Sequence, residues 1–198
     1  MSSAAESNNT TTATAVEPIN GVEVSRLFET IDAIKSMPTL AEFTFRLNNE
    51  WIDGSRNAST IKSFYGAGQE DTTRTEPFLL EADEAPVLLG RDTAPNPVEY
   101  LLHALAACMT TSMVYHASAR GIRIEEVRSR VEGDIDLHGF LGLDPSVPRG
   151  YRNIRIVFQV KADAPAEQLE EIVALGRAFS PVFDTITRAV NVDVALEK

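Results

Sequence analysis

Apolar side chains set a helical rhythm early in the chain. Val24, Leu27, Phe28, Ile31 and Ile34 recur at three- and four-residue spacing, which predicts an amphipathic helix over 22–36, ended by Met37-Pro38. The rhythm then shortens to two. Ala41, Phe43, Phe45 and Leu47 alternate with Glu42, Thr44, Arg46 and Asn48, the pattern of a half-buried strand. Asp53-Gly54-Ser55 is turn chemistry, 58–65 reads as the returning strand, and 77–82 as a third.

The most informative segment begins at Asn96-Pro97, a cap followed by proline at the first helical position. No breaker follows until Gly121, so a long helix is expected through about Arg120. Its middle, LLHALAACMTTSMV, is apolar or small nearly all round and predicts burial on most faces. Two strands are expected at about 122–137 and 150–162, then a helix from Pro165 to near Ala178. A short helix starts at Ser180-Pro181, and Val190, Val192, Val194 and Leu196 suggest a closing strand. This order is α+β rather than a repeating βαβ pattern.

Composition narrows the picture. Residues 1–20 are rich in Ser, Thr, Asn and Ala and are expected to be a disordered tail, leaving 21–198 as a single domain. The net charge of -11 repels phosphate backbones and anionic lipid, so neither nucleic acid nor membrane is an expected partner. No apolar run approaches the roughly 20 residues of a membrane helix. The start of the chain has neither the basic nor the apolar region of a secretory signal, and one cysteine cannot form an internal disulfide. The expected location is the reducing cytoplasm.

Candidate chemistry is sparse. HExxH, CxxC, G-x-S-x-G and phosphate-binding glycine loops are all missing, and no cofactor is expected. Asp134, Asp136 and His138 alternate, as three metal ligands on one strand face would, but Ile135 and Leu137 opposite make a solvated face the plainer account. No metal is expected. Glu99 and His103 lie one turn apart and read as a polar pair at a helix surface or interface. Cys108 is the one thiol. Its local neighbours, Ala104, Leu105, Thr111 and Ser112, include no cation, and it sits too far along its helix for the dipole to acidify it. It is either a small buried hydrophobe or a nucleophile activated from elsewhere in the fold.

The run PNPVEYLLHALAAC resembles the opening of the central helix in the OsmC/Ohr superfamily. GDIDLHGFLGL, YRNIRIVFQVKADAP, AEQLEEIVALGRAF and SPVFDTITRAVNVDVAL resemble that family in order and spacing, over about residues 40–198. The resemblance implies an OsmC-like α+β fold, with antiparallel sheets wrapped around long buried central helices in an intertwined homodimer. It implies that Cys108 occupies the position of an attacking thiolate, assisted by a glutamate and an arginine. Glu99 and Arg56 are the matching residues. The family's second cysteine, which resolves the oxidised first one, is replaced by Ser180.

Two functions follow from the resemblance. One is a one-cysteine thiol peroxidase for organic hydroperoxides in oxidative-stress defence, regenerated by an external thiol reductant. The other is a non-redox homodimer that binds a small apolar ligand. On an ideal helix the nine residues from Glu99 to Cys108 turn through about 900°, so the two lie on opposite faces. Glu99 therefore acts on Cys108 only across a dimer interface or through an arginine.

Overall fold

A computed structural model describes residues 17–197. Helix α1 (Val24–Ser36) leads, followed by a 3-10 turn at Pro38–Ala41. Strands β1 (Thr44–Phe45), β2 (Asn48–Asp53), β3 (Arg56–Ile61), β4 (Phe64–Gly66), β5 (Gln69–Asp71) and β6 (Phe78–Ala82) form the N-terminal region. The long helix α2 (Pro97–Ala119) and strand β7 (Ile124–Asp134) come next. A short helix α3 (Leu137–Phe140), strand β8 (Asn153–Ala162), and helices α4 (Ala166–Ala178) and α5 (Pro181–Thr187) complete the order. The described residues are thus α+β, with antiparallel pairing throughout: β1-β4-β5, β2-β3-β6 and β7-β8.

The predicted strand at 41–48 is corrected. Between Ala41 and Leu47 only Thr44 and Phe45 are strand, and the main strand is β2, which starts at Asn48. One long hairpin bends between Phe45 and Asn48 on one arm and between Ile61 and Phe64 on the other. Its tip joins one sheet and its base another. Arg46, at the bend, donates two hydrogen bonds to the Glu70 carboxylate on β5. The alternation that suggested a half-buried strand is real, but Phe43, Phe45 and Leu47 are exposed in the single chain.

The expectation for the central helix also needs correction. Within one chain α2 is buried along one stripe, Leu105, Met109, Met113 and Ala117, with Ser118 beside it, while Leu101 and Tyr115 stay exposed. The stripe packs on Ile172 of α4 to make the core, joined by Ile122, Ile124, Val127, Phe158, Leu169 and Val173. Gly176 lets α4 approach α2 closely, since a β-carbon there would collide with Met113. Capping at both helix ends follows the sequence signals. Asn96 and Glu99 form a reciprocal capping box, and Gly121 takes the left-handed conformation (φ 75°) just past the end.

Three further expectations change. Residues 1–16 of the predicted tail lie outside the described residues, but 17–20 are held. Ile19 pairs with Val22, and Asn20 donates from Nδ2 to Ser118 Oγ and the Ile122 carbonyl while accepting from the Ile124 amide. The strand ends at Asp134, so the alternation through Asp136 and His138 is broken: Asp134 pairs with Arg155, Asp136 caps α3 and bonds His138. No metal-binding cluster exists among the described residues. Residues 190–196 form no strand in the single chain, and Val190, Val192, Val194 and Leu196 point into solvent. Among the described residues they pair with no strand.

Candidate functional site

Cys108 is half-buried in the third turn of α2. Its own face of the helix runs on to Ser112, one turn further, whose hydroxyl donates to the Phe179 carbonyl (3.1 Å). That contact brings the corner before α5 against the helix within a turn of the thiol. The next residue, Ser180, is 2% exposed and caps α5, its Oγ accepting from the Phe183 amide at 3.2 Å. The corner before α5 therefore carries a buried hydroxyl committed to capping that helix. Thr111 donates to its own helix, to the Ala107 carbonyl, so the Thr111 and Ser112 hydroxyls are both committed to backbone oxygens.

Glu99 is exposed in the first turn of α2, and its carboxylate accepts from the Asn96 amide at 2.9 Å. It completes the capping box and sits where the helix macrodipole favours negative charge. Nearby, Tyr151 donates to the Val98 carbonyl at 3.0 Å, and burial, aided by Glu99, raises its hydroxyl above the ordinary value. His103 shares a shallow depression with Glu99 and Tyr100 but makes no hydrogen bond with Glu99.

Arg56 opens β3, with a side chain 27% exposed. Its guanidinium meets Asp53 (3.4 Å) and Glu81 (3.8 Å). Among the described residues, neither Arg56 nor Glu99 makes a hydrogen bond or ion pair with the other or with Cys108 in the single chain. The arrangement has one half-buried thiol on a helix face, and one arginine on a separate hairpin.

Two features escaped the sequence. One is Asp83, buried and fully hydrogen-bonded in the loop leading to α2; nothing local distinguishes it from its acidic neighbours Glu81 and Glu84. The other is an open cleft of about 860 Å³ between α4, α5 and β8, floored by Met109, Ile156, Phe158 and Val173, with Arg177 and Phe183 at its wall. Arg177 stacks over the Phe183 ring, 5.1 Å from its centre.

No curated protein sequence matches the chain. Solved structures do resemble it. An OsmC-like protein from Mycoplasma pneumoniae is 17% identical, with a TM-score of 0.55 over 73% of this chain and 87% of that one. An organic hydroperoxide resistance protein, OsmC, from Legionella pneumophila is 16% identical, with a TM-score of 0.51 over 72% and 88%. An OsmC-like protein of unknown function from Vibrio cholerae is 12% identical, with a TM-score of 0.52 over 72% and 92%. At these identities the likeness is one of fold. The family model for OsmC-like proteins matches residues 90–195, from the loop before α2 to the segment after α5, so the chain belongs to the OsmC-like family.

Proposed function

We propose that this chain is a one-cysteine thiol peroxidase that reduces organic hydroperoxides and works as a homodimer. The observation that carries the reading is the half-exposed Cys108, the chain's single cysteine, held a turn from the Phe179–Ser180 corner. The Cys108 thiolate attacks the distal oxygen of the hydroperoxide. An S–O bond forms, the O–O bond breaks, and the alkoxide leaves with a proton as an alcohol. The sulfur is now a sulfenic acid. With serine at position 180, an external thiol attacks it, expelling water, and a second thiol releases Cys108 as the disulfide departs.

Arg56 would stabilise the developing negative charge, and Glu99 would orient a group at the helix N-terminus. Arg56 reaches a Cys108 when a second copy brings its hairpin to the helix face. A second copy is supported by the apolar surface that one chain leaves uncovered: Phe45, Trp51, Leu79 and Val87 are each more than 70% exposed. The free edge of β8 and the alternating apolar segment at 190–196 are surfaces a second copy would close.

A second reading, a non-redox binder of a small apolar ligand, is favoured by the cleft beside Met109. One experiment separates the two. Reduced protein is treated with an organic hydroperoxide and a sulfenic-acid trap, then weighed intact. The peroxidase forms one adduct per chain, absent in Cys108→Ser. A protein that stays reduced under excess hydroperoxide is the binder.

A further inference from the structure

The side chain that the chemistry above does not use is the most heavily hydrogen-bonded one among the described residues. Asp83 is 1% exposed. One carboxylate oxygen accepts from the Ser55 hydroxyl (2.7 Å) and the Glu84 amide (2.8 Å). The other accepts from the Arg91 amide (3.2 Å), the Thr93 amide (3.1 Å) and the Thr93 hydroxyl (2.8 Å). The Ser55 hydroxyl, first among these donors, outweighs the cost of burial and holds the carboxyl well below the usual carboxylate range. Asp83 is therefore ionised throughout the physiological range.

What it joins gives it meaning. Ser55 is the turn residue immediately before Arg56. Arg91 and Thr93 belong to the loop that runs into α2. The two segments meet a second time, where the Arg91 guanidinium donates to Asp53 (2.7 Å), the same carboxylate that pairs with Arg56. Onward from the clasp, the Glu84 carboxylate accepts from the Asn96 side chain (3.3 Å), and Asn96 is locked with Glu99 in the capping box. Arg56 and Glu99 do not touch, yet an unbroken run of hydrogen-bonded residues connects them through Asp83.

We infer that Asp83 is a positioning residue, one buried carboxylate that sets the Arg56 hairpin against the N-terminal end of the helix carrying Cys108. This rests on the peroxidase reading. A permanently charged acceptor with five donors cannot shift without stranding buried polar groups, so the guanidinium sits on a rigid mount.

The test compares two reactions of the same thiol. Oxidation of Cys108 by cumene hydroperoxide needs the arginine beside the departing alkoxide; alkylation by iodoacetamide, a neutral reagent, needs only an accessible thiolate, so both are run at a pH where the thiol of either protein is ionised. Asp83→Asn should slow oxidation by roughly tenfold or more, since misplacement by about 1 Å costs up to a hundredfold, while alkylation is unchanged. If Asp83→Asn does not fold, Ser55→Ala cuts only the link to the hairpin and should show the same selective loss. Both rates falling together, or neither changing, overturns the positioning role while leaving the peroxidase standing. A wild-type thiol inert to hydroperoxide overturns the peroxidase reading, and the positioning role with it.

Discussion

The two ends of the chain solve the problem of burial differently. From α2 onward, helices and a two-stranded sheet close around Met113, Ala117 and Ile172, and Gly176 brings α4 into close contact with α2. Before α2, six strands in two sheets bury one apolar residue, Ala82, while Phe45, Trp51, Phe78 and Leu79 are 59–74% exposed. The first region has a core of its own. The second is held by polar devices: the Asp83 clasp, the Arg46–Glu70 pair, and Arg74 lying over Phe64 and Phe78. Polar contacts can fix a shape, but an uncovered apolar face still needs a partner.

The largest effect should come from the region with the core. Ile172→Ala removes a side chain that is 1% exposed and should cost about 2–5 kcal/mol, read as a lower denaturant midpoint. A midpoint unchanged by this substitution would mean that the core lies elsewhere. Trp51→Ala tests the other region. Trp51 is 74% exposed, so its loss should barely alter unfolding of the chain. It should weaken association by about 2 kcal/mol if it anchors an interface, seen by sedimentation velocity as dissociation at higher concentration. Equal association of the two proteins would remove Trp51 from any interface.

The smallest effect is set by pH. His116 is held below its usual range by burial, and then by Arg120. It is neutral in the fold, so its contribution is present above the unfolded value of about 6.5 and is lost as pH falls through the folded one. Asp83 acts in a lower window: its contribution is present above about 3.9 and is lost only in strong acid. Between neutrality and pH 5, stability should therefore decline through the C-terminal region. His116→Asn should flatten that decline, and a slope unchanged in the variant would assign it to other groups.

How much of this was legible depended on whether a signal was local. Asn96-Pro97, Gly121, Pro165 and Ser180-Pro181 each act on their own backbone, and the three helices α2, α4 and α5 appear where those residues place them. The family and the α+β class followed from α2 and the segments after it. The hairpin bend was invisible, because alternation along 41–48 does not say which sheet each residue joins. The clasp was invisible because its five donors come from four separate residues. Asn20 had a readable signal: Asn-Gly is a strong tight-turn pair, and Asn20 takes a positive φ of 53°. A polar stretch around it concealed an anchor.

That anchor has a consequence for synthesis. Asn20 finds Ser118 only across 98 residues of chain, and Ser118 lies at the far end of α2. Residues leave the ribosome N-terminus first. The arm bearing α1 and all six strands of the open region therefore emerge before either the bolt or the core that receives it exists. For the several seconds that translation takes to cover that span, Asn20 has neither Ser118 nor the Ile122 carbonyl to hold it. The arm is fastened only after α2 is complete, and Phe45, Trp51 and Leu79 stay uncovered even then.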